Sequence, residues 1–226
     1  MLKKKKLKFD YNFMAKALII DLKLNNIGSV IESFKKIDVE CTTKLTKKNI
    51  DSADFLVLPG VGSFPAGMKY IKQNKIDVII KKFSKSKQKK IVGICLGMQL
   101  LFEKSNELGL TTKGLSLIKG KVVNLNTKLK PNNKSLIPNI GWHQINVKNR
   151  DKLFYRKINK QNYYFIHSYC VETKYSKDIS SYIKLDGKKI ISSVQRENIF
   201  GFQFHPEKSG KKGSFLLKSF VSSFVK

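Results

Sequence analysis

The sequence predicts an α/β fold: a mostly parallel sheet built from βαβ units in the first half, followed by an antiparallel, β-rich second half. Three observations carry that expectation. Short apolar runs alternate with helix-period segments from residue 14 to about residue 104. Two of those runs, "DFLVLPG" (54–60) and "KIVGI" (90–94), lack polar alternation, as strands covered on both faces do. In the second half the apolar runs become short and closely spaced, with turns between them rather than helices.

Taken in order, "AKALIID" (15–21) reads as the first strand and residues 26–37 as an amphipathic helix. The strand at 54–60 ends in a glycine turn. Helices are expected at 65–74 and 75–86, then the strand at 90–94 and a helix over 96–104. "LIKGKVVNL", "WHQINV", "YYFIHSYCV", "ISSYIKL", "KIISSVQ" and "IFGFQF" are expected strands of the second half, and a helix from about 213 to 224 closes the chain. "NTKLKPNNK" (126–134) reads as a surface loop. Residues 1–13, "MLKKKKLKFDYNF", are basic with no signal-peptide apolar stretch after them, and the periodic sequence begins at Met14, so they read as a disordered extension or an over-long start. One domain, 14–226, is expected.

Composition limits the function classes. The 226 residues hold 45 Lys plus Arg against 16 Asp plus Glu, a formal charge of +29. All but Arg150, Arg156 and Arg196 of the basic residues are lysines, spread from end to end, without the Arg clusters and aromatic platforms of base-edge readers. Nucleic acid is not an expected partner. The 3 cysteines, Cys41, Cys95 and Cys170, form no CxxC pair and suit a reducing, cytoplasmic setting. No apolar run approaches the ~18 residues of a membrane span, so no membrane partner is expected.

The chemistry concentrates in "GICLG", where an apolar run meets a helix at Cys95. A nucleophile at such an elbow stands at the carboxyl edge of the sheet, where open α/β folds bind ligands. Gly93 and Gly97 allow the tight backbone, and the Leu96 amide is placed to donate to an oxyanion. A cysteine nucleophile needs a base, and the base an orienting group. "FGFQFHPEKSG" supplies His205 with Glu207 two residues on, and Pro206 stiffens the turn between them. "LVLPGVGSF" (56–64) runs from a strand into P-G-V-G, a turn able to present a second backbone amide. Taken singly, H-P-E and P-G-x-G are weak signals.

Together with "GMQLLFE", "GLSLIKGKV", "PNIGW" and "YYFIHSY", these motifs closely resemble the class I (triad-type) glutamine amidotransferases, over residues 16–224. Within that class the likeness is to the glutaminase subunits of histidine biosynthesis. The resemblance implies a flavodoxin-like three-layer sandwich and a Cys95–His205–Glu207 triad acting on L-glutamine. It implies an oxyanion hole from the amides of Val61 and Leu96, and substrate contacts from Gly62, Gln99, Glu107, His167, Ser168 and Tyr169. It also implies a (β/α)8-barrel cyclase partner that receives the ammonia, docked near Asn26, Pro138, Trp142 and Lys208. Neither a metal nor a cofactor is implied.

Two places depart from the family pattern. "DLKLNNIGSV" keeps Asp21 and Asn26 but has Leu22, Lys23 and Asn25 where the family differs, and G-W-N becomes Gly141-Trp142-His143. A paralogous glutaminase feeding a sugar-modifying amidotransferase of surface-polysaccharide synthesis therefore stays open. So do a silent scaffold and a free-standing cysteine hydrolase, against which the intact triad and the "GMQLLFE" motif respectively weigh.

Overall fold

A computed structural model describes residues 14–24, 26–129, 137–148 and 157–224. The expected extension 1–13, residues 130–134 of the expected surface loop, and Asn25, Arg150 and Arg156 lie outside the described residues. In chain order the first elements are Lys16–Ile19 (β1), Gly28–Lys35 (α1), Glu40–Thr42 (β2), Lys47–Ser52 (α2), Phe55–Gly60 (β3), Phe64–Gln73 (α3), Ile76–Lys85 (α4), Lys90–Cys95 (β4) and Leu96–Leu100 (α5). Then come Lys104–Ser105 (β5), Thr112–Lys113 (β6), Gly120–Asn124 (β7), Asn139–Gln144 (β8), Asn146–Val147 (β9), Asn162–His167 (β10) and Tyr169–Thr173 (β11). The last are Ile179–Leu185 (β12), Lys188–Arg196 (β13), Ile199–Phe202 (β14) and the helix Gly210–Val221 (α6).

The central sheet has the order β2-β1-β3-β4-β14-β13-β12-β9. β2, β1, β3, β4 and β14 are mutually parallel; β13, β12 and β9 continue the sheet antiparallel. Within β1 and β3 the pleat sends alternate apolar residues to opposite faces, and both faces are covered. Ala17, Ile19, Phe55 and Val57 pack with Val30 and Phe34 of α1 and with Leu216, Leu217 and Phe220 of α6. Leu18, Leu56 and Leu58 pack with Met68, Ile71, Ile80 and Phe83 of α3 and α4 and with Leu100 of α5. Each fully buried Val, Ile, Leu, Met or Phe side chain among them contributes roughly 1.5–3 kcal/mol. The result is the expected three-layer sandwich. Two small antiparallel arrangements, β10-β8 and β11-β7-β5-β6, stand beside it.

Three expectations shift. The helix after Cys95 ends at Leu100 instead of 104, because its last carbonyls are taken by the returning chain: Leu101 O accepts from Leu117 and Ile118, and Phe102 O from Ser116. The final helix begins at Gly210 rather than 213, which sets Gly213 against the Pro206 carbonyl, where a Cβ would lie 1.8 Å from the oxygen. "IFGFQF" is antiparallel to β13 but parallel to β4, so it joins the parallel half of the sheet beside β4.

Candidate active site

β4 ends at Cys95 between two hydrogen-bonded parallel neighbours. Gly60 of β3 pairs with Cys95 itself, and Phe202 of β14 pairs with Ile94. This register brings together segments more than a hundred residues apart. At the turn Cys95 adopts φ 53° and ψ −111°, a sparsely populated conformation for a non-glycine residue that costs of order 1–3 kcal/mol. The glycines around it exist for close approach. A Cβ on Gly97 would lie 1.6 Å from the Leu58 carbonyl oxygen of β3, and one on Gly93 2.6 Å from the Gly97 carbonyl.

His205 follows β14 directly and is 2% exposed. Its segment is stitched to β10: His205 N–H donates to Tyr164 O at 2.8 Å, and Ser209 Oγ donates to His205 O at 2.6 Å while accepting from Tyr164 N–H at 3.0 Å. The ring's Nδ1 lies 2.7 Å from Glu207 Oε1 with both side chains nearly inaccessible, and since the carboxylate only accepts, Nδ1 carries the proton. Nε2 is buried and makes no hydrogen bond of its own. Burial opposes charge on the ring, but the Cys95 side chain and the Glu207 carboxylate outweigh it and push the pKa up to about 10. The Cys95 sulfur lies 3.7 Å from Ile166 O and 3.8 Å from Gln203 Nε2.

In front of the sulfur is a cleft of about 280 Å³. It is lined by Val61, Gly62, Cys95 and Leu96, by Gln99 and Glu107, and by Pro138 and the segment from Ile166 to Tyr169. The expected oxyanion and substrate residues therefore converge on one space, and the His205 ring interacts with the Cys95 side chain that opens onto it. A larger open groove of about 820 Å³, bordered by Lys128, Glu172, Tyr182 and Ile190, holds none of them.

Side-chain commitments refine the expected contacts. Gln99 is 5% exposed and gives its Nε2 to Tyr169 O and Gln203 Oε1, both at 3.1 Å. Glu107 Oε2 accepts from Phe64 N–H at 2.7 Å, and burial raises its pKa against that bond. His167 is fully engaged: Nδ1 donates to Tyr169 O at 2.8 Å and Nε2 accepts from Asn139 Nδ2 at 3.0 Å. Burial lowers its pKa to about 4, so the ring is neutral where it lines the cleft.

Of the expected docking residues, Asn26 Oδ1 accepts from Gly28 N–H at 2.7 Å ahead of α1, and Lys208 is exposed beside Glu207. Pro138 lines the cleft. Trp142 is 56% exposed and meets the Tyr164 ring edge-on. In the departing loop, Lys23 Nζ pairs with Asp21 at 2.7 Å, and Leu24 abuts Gly62 of the P-G-V-G turn. His143 turns inward onto Phe165, and burial lowers its pKa. Sequence reasoning missed Gln203 and Asn139. Both are polar side chains within apolar strand segments, and such residues require partners.

A strained cysteine elbow, a buried imidazole–carboxylate pair whose ring interacts with that cysteine and a cleft at the carboxyl edge of a parallel sheet are the parts a triad amidohydrolase would use. The class-I glutamine amidotransferase family model matches residues 18–223, and the chain belongs to that family. Curated proteins it is similar to include imidazole glycerol phosphate synthase HisH subunits. That of Vibrio vulnificus (HisH 2) is 39% identical over 209 residues, covering 91% of this chain and 94% of the relative. That of Pelagibacter ubique is 38% identical over 213 residues, covering 90% and 98%. Among solved structures, PurLQS from Thermotoga maritima superposes with a TM-score of 0.69 at 19% identity, covering 94% of this chain and all of that one; it supports the fold.

Proposed function

We propose that this chain is the glutaminase subunit of an imidazole glycerol phosphate synthase, hydrolysing L-glutamine and handing the ammonia to a (β/α)8-barrel cyclase for histidine biosynthesis. The observation that carries the reading is the buried His205–Glu207 pair at 2.7 Å, whose ring interacts with the Cys95 side chain. An imidazolium beside a thiol favours the thiolate. The sulfur attacks the side-chain amide carbon of glutamine, and its oxygen becomes an oxyanion facing the amides of Val61 and Leu96. As the C–N bond breaks, His205 Nε2 gives its proton to the departing nitrogen, while Nδ1 stays on Glu207. Water, deprotonated by Nε2, then cleaves the γ-glutamyl thioester and returns the thiol. Glu107 suits the substrate's ammonium group.

Ammonia must leave unprotonated, so the cleft needs a cover. Ile140, Trp142, Tyr164 and Ile166 project from the outer face of β8 and β10, with Ile140 55% and Trp142 56% exposed. Because Ile166 and Pro138 also line the cleft, a cyclase seated on this apolar surface closes its mouth. The test is Cys95→Ala assembled with the cognate cyclase. Glutamine-dependent synthesis is abolished and ammonia-dependent synthesis is retained; loss of both in an assembled complex overturns the division of labour. Glutaminase activity without turnover of the histidine-pathway nucleotide would move the chain to the sugar-modifying pathway.

A further inference from the structure

We propose that Gln203 is a further catalytic residue: its side-chain amide, fixed in orientation by Gln99, donates a hydrogen bond to the Cys95 sulfur and holds it as an oriented thiolate. The order of donors and acceptors fixes both side-chain amides. The Tyr169 carbonyl can only accept, so it takes the amino end of Gln99, Nε2, at 3.1 Å. The second hydrogen of that same group goes to Gln203 Oε1 at 3.1 Å. Only the amino end of Gln203 is left for the sulfur, with Nε2 3.8 Å from Sγ. Flipping Gln203 would set amino group against amino group and turn a carbonyl oxygen toward a thiolate, so one orientation is selected.

Gln203 is wholly inaccessible and Gln99 nearly so, and hydrogen bonds to charge are strongest where water is excluded. The sulfur has two further neighbours with opposite preferences. The Ile166 carbonyl, 3.7 Å away, accepts from the neutral thiol and repels a thiolate. The His205 ring, whose charge Cys95 supports, favours the thiolate. Gln203 adds a neutral donor that keeps its place when the imidazolium gives up its proton, so the sulfur retains a partner each time it must carry charge: before attack and as the thioester breaks.

The test uses the full chain, reading alkylation of Cys95 by iodoacetamide through the mass of its peptide across a pH series. Gln203→Met keeps length and removes the donor. The pH of half-limiting alkylation is expected to rise by about one unit, roughly tenfold less reactive sulfur near neutrality. In the complex with its cyclase, kcat is expected to fall about tenfold with KM within about twofold. Gln99→Met, which releases the lock but leaves the donor, is expected to shift alkylation in the same direction by less. An unmoved midpoint in folded Gln203→Met, or a larger shift in Gln99→Met, overturns the proposal. Should Gln203→Met fail to fold, an unmoved midpoint in Gln99→Met does so. The kinetic arm rests on the glutaminase reading and the alkylation arm does not. Expected alkylation shifts in a protein that forms no glutamate would sustain Gln203 and remove the glutaminase.

Discussion

Gly97→Ala is the smallest change that separates what holds the fold from what aims the nucleophile. The added carbon would stand 1.6 Å from Leu58 O and 2.6 Å from Leu58 C, against an ordinary C···O contact of about 3.3 Å. Neither atom can rotate aside, since Leu58 lies in β3 and pairs with Gly93 of β4. Relief requires α5 to lift from the sheet by more than about 1 Å, and Cys95 immediately precedes α5. Overpacking that a core can absorb costs about 1–3 kcal/mol, and a clash between two backbones belongs at or beyond the upper end. A chain of this size loses about 2–4 °C of Tm per kcal/mol, so a cost of about 3 kcal/mol lowers Tm by roughly 6–12 °C. The control is Gly187→Ala, whose Cβ meets nothing within 4 Å and carries only the strain of φ +76°, about 1–2 kcal/mol. Thermal unfolding and glutaminase turnover with the cyclase, below both transitions, provide the readout. A displacement of about 1 Å can cost on the order of a hundredfold in rate, so Gly97→Ala loses turnover where Gly187→Ala keeps it. Equal melting and full turnover in Gly97→Ala would refute the role given to this contact.

Glu207→Gln removes the carboxylate that helps hold the His205 charge. Because the folded pKa is raised to about 10 from an ordinary 6.5, that stabilisation is fully present below about pH 6.5 and fades as pH climbs through about 10. The stability gap between native protein and variant, measured by denaturant unfolding, should therefore be widest in mild acid and narrow toward pH 10; a constant gap contradicts it. Trp142→Ala should leave Tm nearly unchanged, since the ring is 56% exposed. It should weaken cyclase binding by at least about thirtyfold in titration calorimetry, as loss of a hot-spot aromatic does. Undiminished affinity would remove Trp142 from the docking surface.

The parallel core and the Cys95 elbow were legible because their causes are local. An unalternating apolar run signals a strand covered on both faces, and small residues flanking a cysteine signal a tight turn. The short elements were not. β2 is a three-residue edge strand, and no side chain of α2 is buried. α2 is held by half-buried Ile50 packing on the core, by the Thr46 hydroxyl accepting from Asn49 N–H and by Lys89 Nζ donating to the carbonyls of Ile50 and Asp51, from almost forty residues away. The end of α5 depended on hydrogen bonds from residues 116–118, which no helix-period pattern contains. At the site, His205 and Glu207 were readable as neighbours in sequence, whereas Gln203 gains meaning only when β14 is laid parallel to β4. The motif marked His167 as a ligand contact; it lines the cleft, and only the fold shows that both of its ring nitrogens are engaged.

The claim beneath all of this is that carbon from glutamine becomes bonded to one particular sulfur. Acid quenching of the chain at work with glutamine and its cyclase, followed by peptide mass analysis, tests it directly. A γ-glutamyl thioester should appear on the Cys95 peptide and be absent from those of Cys41 and Cys170. Glutamate produced at an undiminished rate by Cys95→Ala, with no adduct on the native Cys95 peptide, would contradict it.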